Sequence, residues 1–247
     1  MASRKMVDIE DHGQYRILFL NNPPVNALSE DMVSELTEIF SHISTGGVNA
    51  VILCGRDKIF SAGLNLRELR NNNAEENEAL FDKIYSLLEL VQNTPVPVIA
   101  AVNGDAIGGG FELALCADIR ILDPQARLGT TGVNLGLVFC TQRLSRLSGI
   151  GTAKEMLFSA RLISAPEAKE RRIAQLVSSP GQALKEAIEL ARLIATKSPS
   201  AVRAVKQAIN SGYDLPLEEG LKVEKGELFR VLMTNEYKGR IDRFFDK

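Results

Sequence analysis

Apolar residues recur with helix and strand spacing along the N-terminal part of the chain. The segment 30–43 carries apolar side chains three and four positions apart, which predicts an amphipathic helix, and a second helix is predicted over 74–92. Near-continuous apolar runs predict buried strands at 48–54 and 98–102, and residues 5–20 predict two short strands joined by a turn. This alternation of strands and helices indicates an α/β fold with right-handed crossovers.

The C-terminal part has a different pattern. From about Thr152 onward nearly every segment shows helical spacing. We therefore predict two regions, an α/β core over 1–185 and a helical region over 186–247. Several of the predicted helices keep apolar faces, which we expect to pack on the core or on another subunit. Residues 55–73, between the first buried strand and the second helix, are predicted to form a loop.

Composition and charge restrict the classes of function. The 247 residues are 45% hydrophobic, with a net charge of -2. Because the chain has no basic excess, its charge does not indicate a nucleic acid or a membrane as a partner. The sequence has no apolar run long enough to span a membrane and no secretory signal, so we expect a cytoplasmic location, with a mature organellar form left open. Cys54, Cys116 and Cys140 lie in apolar stretches without CxxC spacing, which favours buried thiols over a metal site.

The densest cluster of glycines lies in NGDAIGGGFELALCAD, residues 103–118. It follows a predicted buried strand and leads into a predicted helix, whose first turn presents unpaired N–H groups and the positive end of the helix dipole. Such a turn can stabilise a phosphate or a developing oxyanion, although the same glycines could serve only to pack a helix closely on a sheet. The spacing matches neither a dinucleotide fingerprint nor a Walker loop.

A second turn of small residues, FSAGLNL at 60–66, also follows a predicted buried strand. Turns that follow parallel strands meet at the carboxyl edge of the sheet, where α/β proteins bind their ligands. One N–H from each turn could therefore bind the same carbonyl oxygen.

Four segments of the chain form a specific combination: NNPPVNALS, FSAGLNLREL, PVIAAVNGDAIGGGFELALCADIRI and a late AxxxxxxIAxxSPxAVxxxK pattern. In this combination the chain resembles the crotonase superfamily (enoyl-CoA hydratase/isomerase) over essentially its whole length. The resemblance implies an α/β spiral of ββα repeats with a helical C-terminal region, assembled as a homotrimer or hexamer. It also implies a coenzyme A thioester as substrate, no separate cofactor, and an oxyanion hole formed by the N–H groups of Leu64 and Gly109.

The same resemblance assigns further residues to the substrate site. The first two loops contribute backbone that lines the thioester, and a basic side chain next to the first loop is the candidate contact for the coenzyme A phosphates. The residues assigned by the resemblance are Ala62, Gly108, Gly110 and Gly132. Arg67 is a further candidate because of its charge and position, and Thr131 because of its hydroxyl group.

Glu112 is the one acid/base candidate that the resemblance retains. Typical hydratases of the superfamily use two glutamates, twenty residues apart; the first corresponds to Glu112, but Gly132 stands at the second position. No carboxylate occurs anywhere from 124 to 154. A single carboxylate can move a proton between two carbon atoms, as an isomerase requires, or can position water. An acid in the first helical turn is also favoured by the helix dipole without any catalytic role.

Three functions remain open on this sequence. The first is an enoyl-CoA hydratase or isomerase that works with Glu112 alone. The second is a methylmalonyl-CoA decarboxylase-like activity, whose known members also lack the second glutamate but carry a histidine where Leu64 stands here. The third is a catalytically weak protein that binds acyl-CoA.

Overall fold

The computed structural model describes residues 4–43 and 47–246, so the ends of the two predicted regions at 1–3 and 247 lie outside the described residues. The strands are β1 Val7–Asp11, β2 Tyr15–Leu20, β3 Ala50–Gly55, β4 Ile59–Ser61, β5 Val98–Val102, β6 Asp105–Ile107, β7 Ile119–Leu122, β8 Arg127–Gly129, β9 Ile163–Ser164 and β10 Leu176–Val177. The helices are α1 Glu30–Ser41, α2 Leu66–Asn71, α3 Ala74–Asn93, α4 Gly109–Cys116, α5 Thr141–Ser148, α6 Ile150–Ser159, α7 Ala165–Glu170, α8 Ala183–Ala195, α9 Pro199–Gly212, α10 Leu217–Leu232 and α11 Asn235–Phe245.

The strands form two sheets, and the chain passes from one sheet to the other in each repeat. One sheet has the order β1-β2-β3-β5-β7-β10, with only the β1–β2 pair antiparallel; the other has the order β4-β6-β8-β9, with only the β8–β9 pair antiparallel. Strands β3 and β4, β5 and β6, and β7 and β8 each come before helical segments. The predicted α/β spiral of ββα repeats is therefore confirmed.

The larger sheet is covered on both faces, which explains its apolar runs. Every residue of β3 and β5 is buried. One face packs against α8 through a stripe of alanines, whose small side chains let the helix lie close to the strands: Ala183, Ala187, Ala191 and Ala195. The other face packs against α1, α3 and α4 in the main hydrophobic core. Helix α4 therefore starts from the centre of the molecule.

One prediction about local structure is wrong. Residues 55–73 are not a single loop, because they contain β4 and the short helix α2. The region after Thr152 is almost entirely helical, as predicted, apart from β9 and β10, which add edge pairs to the two sheets. Strands of two or three residues are too short to show alternation, and pairing with distant strands determines them.

The helical C-terminal region is joined to the core by a buried ion pair. Lys206 of α9 donates to Asp118 at 2.7 Å and to the carbonyl of Val96 at 3.1 Å, and the same Asp118 carboxylate accepts from the N–H of Val98. Burial lowers the pKa of Lys206, and the adjacent Asp118 partly opposes that shift. Lys206, the last residue of the AxxxxxxIAxxSPxAVxxxK pattern, thus connects α9 to residues next to the start of β5 and β7.

Candidate functional site

The two glycine-containing turns meet, as the sequence predicts, but in the smaller sheet. Strand β4 pairs in parallel with β6, so the turns that follow them lie side by side. Gly63 has φ of +92°, and a Cβ placed there would lie 2.5 Å from the carbonyl oxygen of Ile107 and 2.8 Å from the amide nitrogen of Gly109. Only glycine permits this approach, and the consequence is that the two turns are in direct backbone contact.

Two backbone N–H groups at this contact have no protein acceptor among the described residues, those of Leu64 and Gly109. The strand segment at Leu28 holds the first turn on both sides, because its N–H donates to Gly63 at 2.7 Å and its carbonyl accepts from Asn65 at 3.2 Å. Gly109 is the first residue of α4, where helix geometry leaves an N–H unpaired. The pair predicted as an oxyanion hole is thus present as two available donors on adjoining turns.

Glu112 lies one turn into α4 and is only 3% exposed. Its Oε1 accepts a hydrogen bond from Nη1 of Arg143 at 2.7 Å. Its Oε2 is buried and has no hydrogen-bond partner within the described part of the chain. A buried polar atom that lacks a partner is rare in folded proteins and is commonly a sign of function. Glu112 therefore offers one free, desolvated carboxylate oxygen.

Arg143 is the main residue of the site that the sequence analysis missed. It lies in α5, its side chain is 19% exposed, and its Nε donates to the side-chain oxygen of Gln92 at 2.7 Å. Gln92 is 51 residues away in sequence, at the end of α3, so only the folded chain brings the two together. Arg143 lies in the Thr-Gln-Arg-Leu segment, where no local pattern indicates a specific contact for the arginine.

An apolar wall stands beside Glu112. Phe139 is buried and makes edge-to-face contacts with Phe81 and Tyr85, at centroid distances of 6.4 and 5.6 Å. The Sγ of Cys140 lies 3.6 Å from the carbonyl of Gly108. Burial raises the pKa of the Cys140 thiol, and the negative charge of Glu112 raises it further. Cys140 is thus the buried thiol that the sequence predicts, and a thiol that stays neutral is a weak nucleophile.

The segment at the second glutamate position forms a tight turn. Gly132–Leu135 is a 3₁₀ helix, in which the N–H of Leu137 donates to Gly132 at 2.9 Å and the N–H of Gly132 donates to Oγ1 of Thr130 at 3.2 Å. A Cβ at Gly132 would lie 3.1 Å from the carbonyl of Leu137. Thr131 is half-buried at the start of this turn, and neither it nor its neighbours supplies a carboxylate.

The remaining predicted substrate residues divide into two groups. Three lie at the contact of the turns: Ala62, whose N–H donates to Val25 at 2.9 Å; Gly108, whose N–H donates to Gly129 at 2.9 Å; and Gly110, which packs against Ser61. The Gly108 bond also brings the loop containing Thr131 and Gly132 next to the glycine triplet. Arg67 stands apart, exposed in the first turn of α2.

Two classes of site have no support in the described residues. No helix there is long and apolar enough to cross a membrane. Nor do the described histidine, cysteine, aspartate and glutamate side chains form a group of three that could hold a metal ion.

Comparison with known proteins places the chain in a family. Residues 16–247 match the model of the enoyl-CoA hydratase/isomerase family. The chain is 36% identical over 250 residues to a short-chain-enoyl-CoA hydratase of Clostridium acetobutylicum, covering 98% of this chain and 95% of that protein. It is 34% identical to the mitochondrial methylglutaconyl-CoA hydratase of Mus musculus, over 85% of this chain and 70% of that protein.

Solved structures agree with that assignment. The 1.8 Å crystal structure of an enoyl-CoA hydratase from Bacillus anthracis matches with a TM-score of 0.94 and 35% identity, covering 98% of this chain and 96% of that one. A Geobacillus kaustophilus structure at 24% identity, with a TM-score of 0.95, shows the same fold. The chain therefore belongs to the enoyl-CoA hydratase/isomerase family, and the predicted resemblance to the crotonase superfamily is confirmed.

Proposed function

We propose that this protein is an enoyl-CoA hydratase or isomerase, in which the N–H groups of Leu64 and Gly109 bind the thioester carbonyl and Glu112 transfers the proton. The observation that carries the proposal is the position of the free Oε2 of Glu112, one helical turn after Gly109. A thioester α-proton is too weakly acidic to be removed unaided, and two rigid donors stabilise the enolate oxygen. Each such donor contributes about 3 kcal/mol in oxyanion holes of known energetics.

A single carboxylate is sufficient for either reaction. In isomerisation, Glu112 removes a proton from one of two carbons, the α-carbon or the γ-carbon, and returns a proton to the other carbon of the pair. The double bond moves, and the substrate gains and loses no atom overall. In hydration, the carboxylate accepts a proton from the water that adds at the β-carbon and then delivers a proton to the α-carbon. The hydratase names of several relatives favour hydration.

The chemistry requires no bound metal or organic cofactor, since it uses only N–H donors, a carboxylate and water. Coenzyme A enters as part of the substrate, and Arg67 is the proposed contact for its phosphates because its exposed side chain lies just after the Leu64 turn. We also propose that the protein assembles as a homotrimer or hexamer and is cytoplasmic.

The test is to mix the purified protein with crotonyl-CoA and follow the loss of the enoyl thioester absorbance, with Glu112→Gln as the matched variant. We expect turnover that falls by about 10² to 10⁴ in the variant, the usual contribution of a general acid–base. The same pair of proteins is then tested on a 3-enoyl-CoA for isomerisation.

Binding of both thioesters without turnover of either would overturn the proposal. A malonyl-type thioester then distinguishes the two alternatives that the sequence left open. Release of CO2 would indicate a decarboxylase, and binding alone would indicate an acyl-CoA-binding protein.

A further inference from the structure

The contact between Glu112 and Arg143 differs from the two-oxygen arginine–carboxylate contacts that this protein forms on its surface. There, Arg161 binds Glu155 through two nitrogens and both carboxylate oxygens, and Arg127 binds both oxygens of Asp105. Two parallel bonds are the favoured geometry for such a pair. In the buried pair, Arg143 binds only Oε1 and leaves Oε2 without a donor, although burial makes an unpaired oxygen more costly there.

The guanidinium cannot swing to reach the second oxygen because a second residue holds it. The Nε of Arg143 donates to Gln92 at 2.7 Å while its Nη1 donates to Glu112 at 2.7 Å, so two bonds fix the plane of the group. The backbone of Gln92 is part of α3, and its carbonyl also accepts a hydrogen bond from the side chain of Asn210 in α9. The direction of the Glu112 carboxylate is therefore determined by contacts from α3 and α5.

We propose that Arg143, held by Gln92, is a positioning residue that binds Oε1 of Glu112 and keeps Oε2 directed at the substrate for proton transfer. This inference rests on the proposed function, because it assigns Oε2 as the oxygen that accepts and returns the proton. A carboxylate that could rotate would present either oxygen in many directions. Because proton transfer needs hydrogen-bond geometry, small errors in position have large effects on rate.

A positioning residue and a residue that merely stabilises the fold differ in what their loss changes. Loss of a structural ion pair would affect unfolding, whereas loss of a positioning residue affects the chemical step while substrate binding is retained. In the positioning role, Arg143 acts on the rate through Glu112 alone. Once Glu112 is replaced, loss of Arg143 should have no further effect on rate.

The kinetic test compares Arg143→Gln, Arg143→Lys and Glu112→Gln, with Arg146→Gln as the matched control. Arg146 lies one turn further along the same helix and pairs with Asp214 on the surface, away from the site. We expect Arg143→Gln to lower kcat by about 10²-fold, with KM changed by less than about threefold. Arg143→Lys should recover part of that loss, since an ammonium can donate to Oε1 but cannot hold the same plane.

The double variant Glu112→Gln/Arg143→Gln should be no slower than Glu112→Gln alone, and Arg146→Gln should match the wild type. A double variant slower by the product of the two single effects would overturn the inference. So would an Arg143→Gln protein with wild-type kcat.

A crystal structure of Arg143→Gln supplies a measurement that does not depend on turnover. We expect the Glu112 carboxylate to rotate, with Oε2 gaining a protein or water partner, while the backbone of α4 stays in place. An unchanged carboxylate would overturn the positioning role even if the enzyme is active. If the wild type turns over no thioester, the proposed function is contradicted; rotation of the carboxylate in Arg143→Gln would then show only that Arg143 orients the Glu112 side chain.

Discussion

At position 63 the main chain has room for a hydrogen atom and for little more. Gly63 combines φ of +92° with two backbone atoms of the neighbouring turn in the place of a Cβ. We expect Gly63→Ala to lower the free energy of unfolding by about 2 kcal/mol or more and to lower kcat/KM by pushing the Leu64 and Gly109 amides apart. Urea denaturation and steady-state kinetics measure the two effects.

Gly13→Ala is the matched control for this substitution. Gly13 also has a positive φ, +74°, but a Cβ there would meet nothing within 4 Å. Its cost should be limited to backbone strain of about 1 kcal/mol, without any change in kcat/KM. If both variants lose the same stability and keep full activity, the close approach of the two turns has no role in the site.

The local patterns of strand and glycine predicted that two turns meet, and the structure shows that contact. Leu64, Gly109 and Glu112 were assigned there by the resemblance to the crotonase superfamily, and all three lie at or close to the contact. Arg143 and Gln92 could not be found in this way, because their bond joins positions 51 residues apart and depends on how two helices pack. The motifs within single segments thus indicated the candidate donors and the candidate carboxylate, but not the arginine that binds the carboxylate.

At the level of elements, helix α4 ends against a buried arginine. The Nε of Arg120 donates to Ile173 at 2.6 Å, and its Nη1 donates to Ala117 at 2.5 Å and to Ala114 at 3.5 Å. Burial lowers the pKa of Arg120 to about 10, with an opposing effect of Asp118, so the side chain remains charged at neutral pH. It satisfies carbonyl groups that the helix leaves unpaired, and it steadies the element that carries Glu112.

We expect Arg120→Met to lower the free energy of unfolding by about 3 kcal/mol or more, since the apolar side chain leaves several buried carbonyls without donors. Chemical denaturation measures the change. Arg127→Met is the control, because Arg127 is exposed and its ion pair with Asp105 lies on the surface; little change is expected there. Equal midpoints for the two variants would show that Arg120 does not hold the end of α4.

Elements with a long apolar pattern were predicted well, and short ones were not. The helix predicted over 30–43 is observed as Glu30–Ser41, and the strand predicted over 98–102 as Val98–Val102. Strands β4 and β6 have three residues each, and their pairing with each other defines them. These two strands nevertheless position the two turns of the candidate site, so the smaller sheet next to that site was the part of the fold that local patterns did not reveal.

At the scale of the whole molecule, the C-terminal helices leave large apolar side chains uncovered. Helices α10 and α11 bury no residue completely, and their exposed apolar residues include Leu217 at 79%, Phe244 at 73% and Phe245 at 78%. Met233, between the two helices, is 84% exposed. Several large apolar side chains exposed on neighbouring helices commonly mark a surface that another molecule covers. Apolar faces of the C-terminal helices were expected to pack on the core or on another subunit. Because these side chains are exposed in the single chain, packing on another subunit is the possibility that remains.

We therefore expect light scattering after gel filtration to give a mass three or six times the 27.0 kDa of one chain. Met233→Glu combined with Phe244→Glu should shift the mass toward that of one chain, because a charged group buried without a partner disfavours association strongly. Lys222→Glu is a control on the exposed surface of α10, where Lys222 contacts only neighbouring acidic residues. A wild-type mass of one chain over a range of concentrations would contradict the assembly and would require a different molecule to cover these helices.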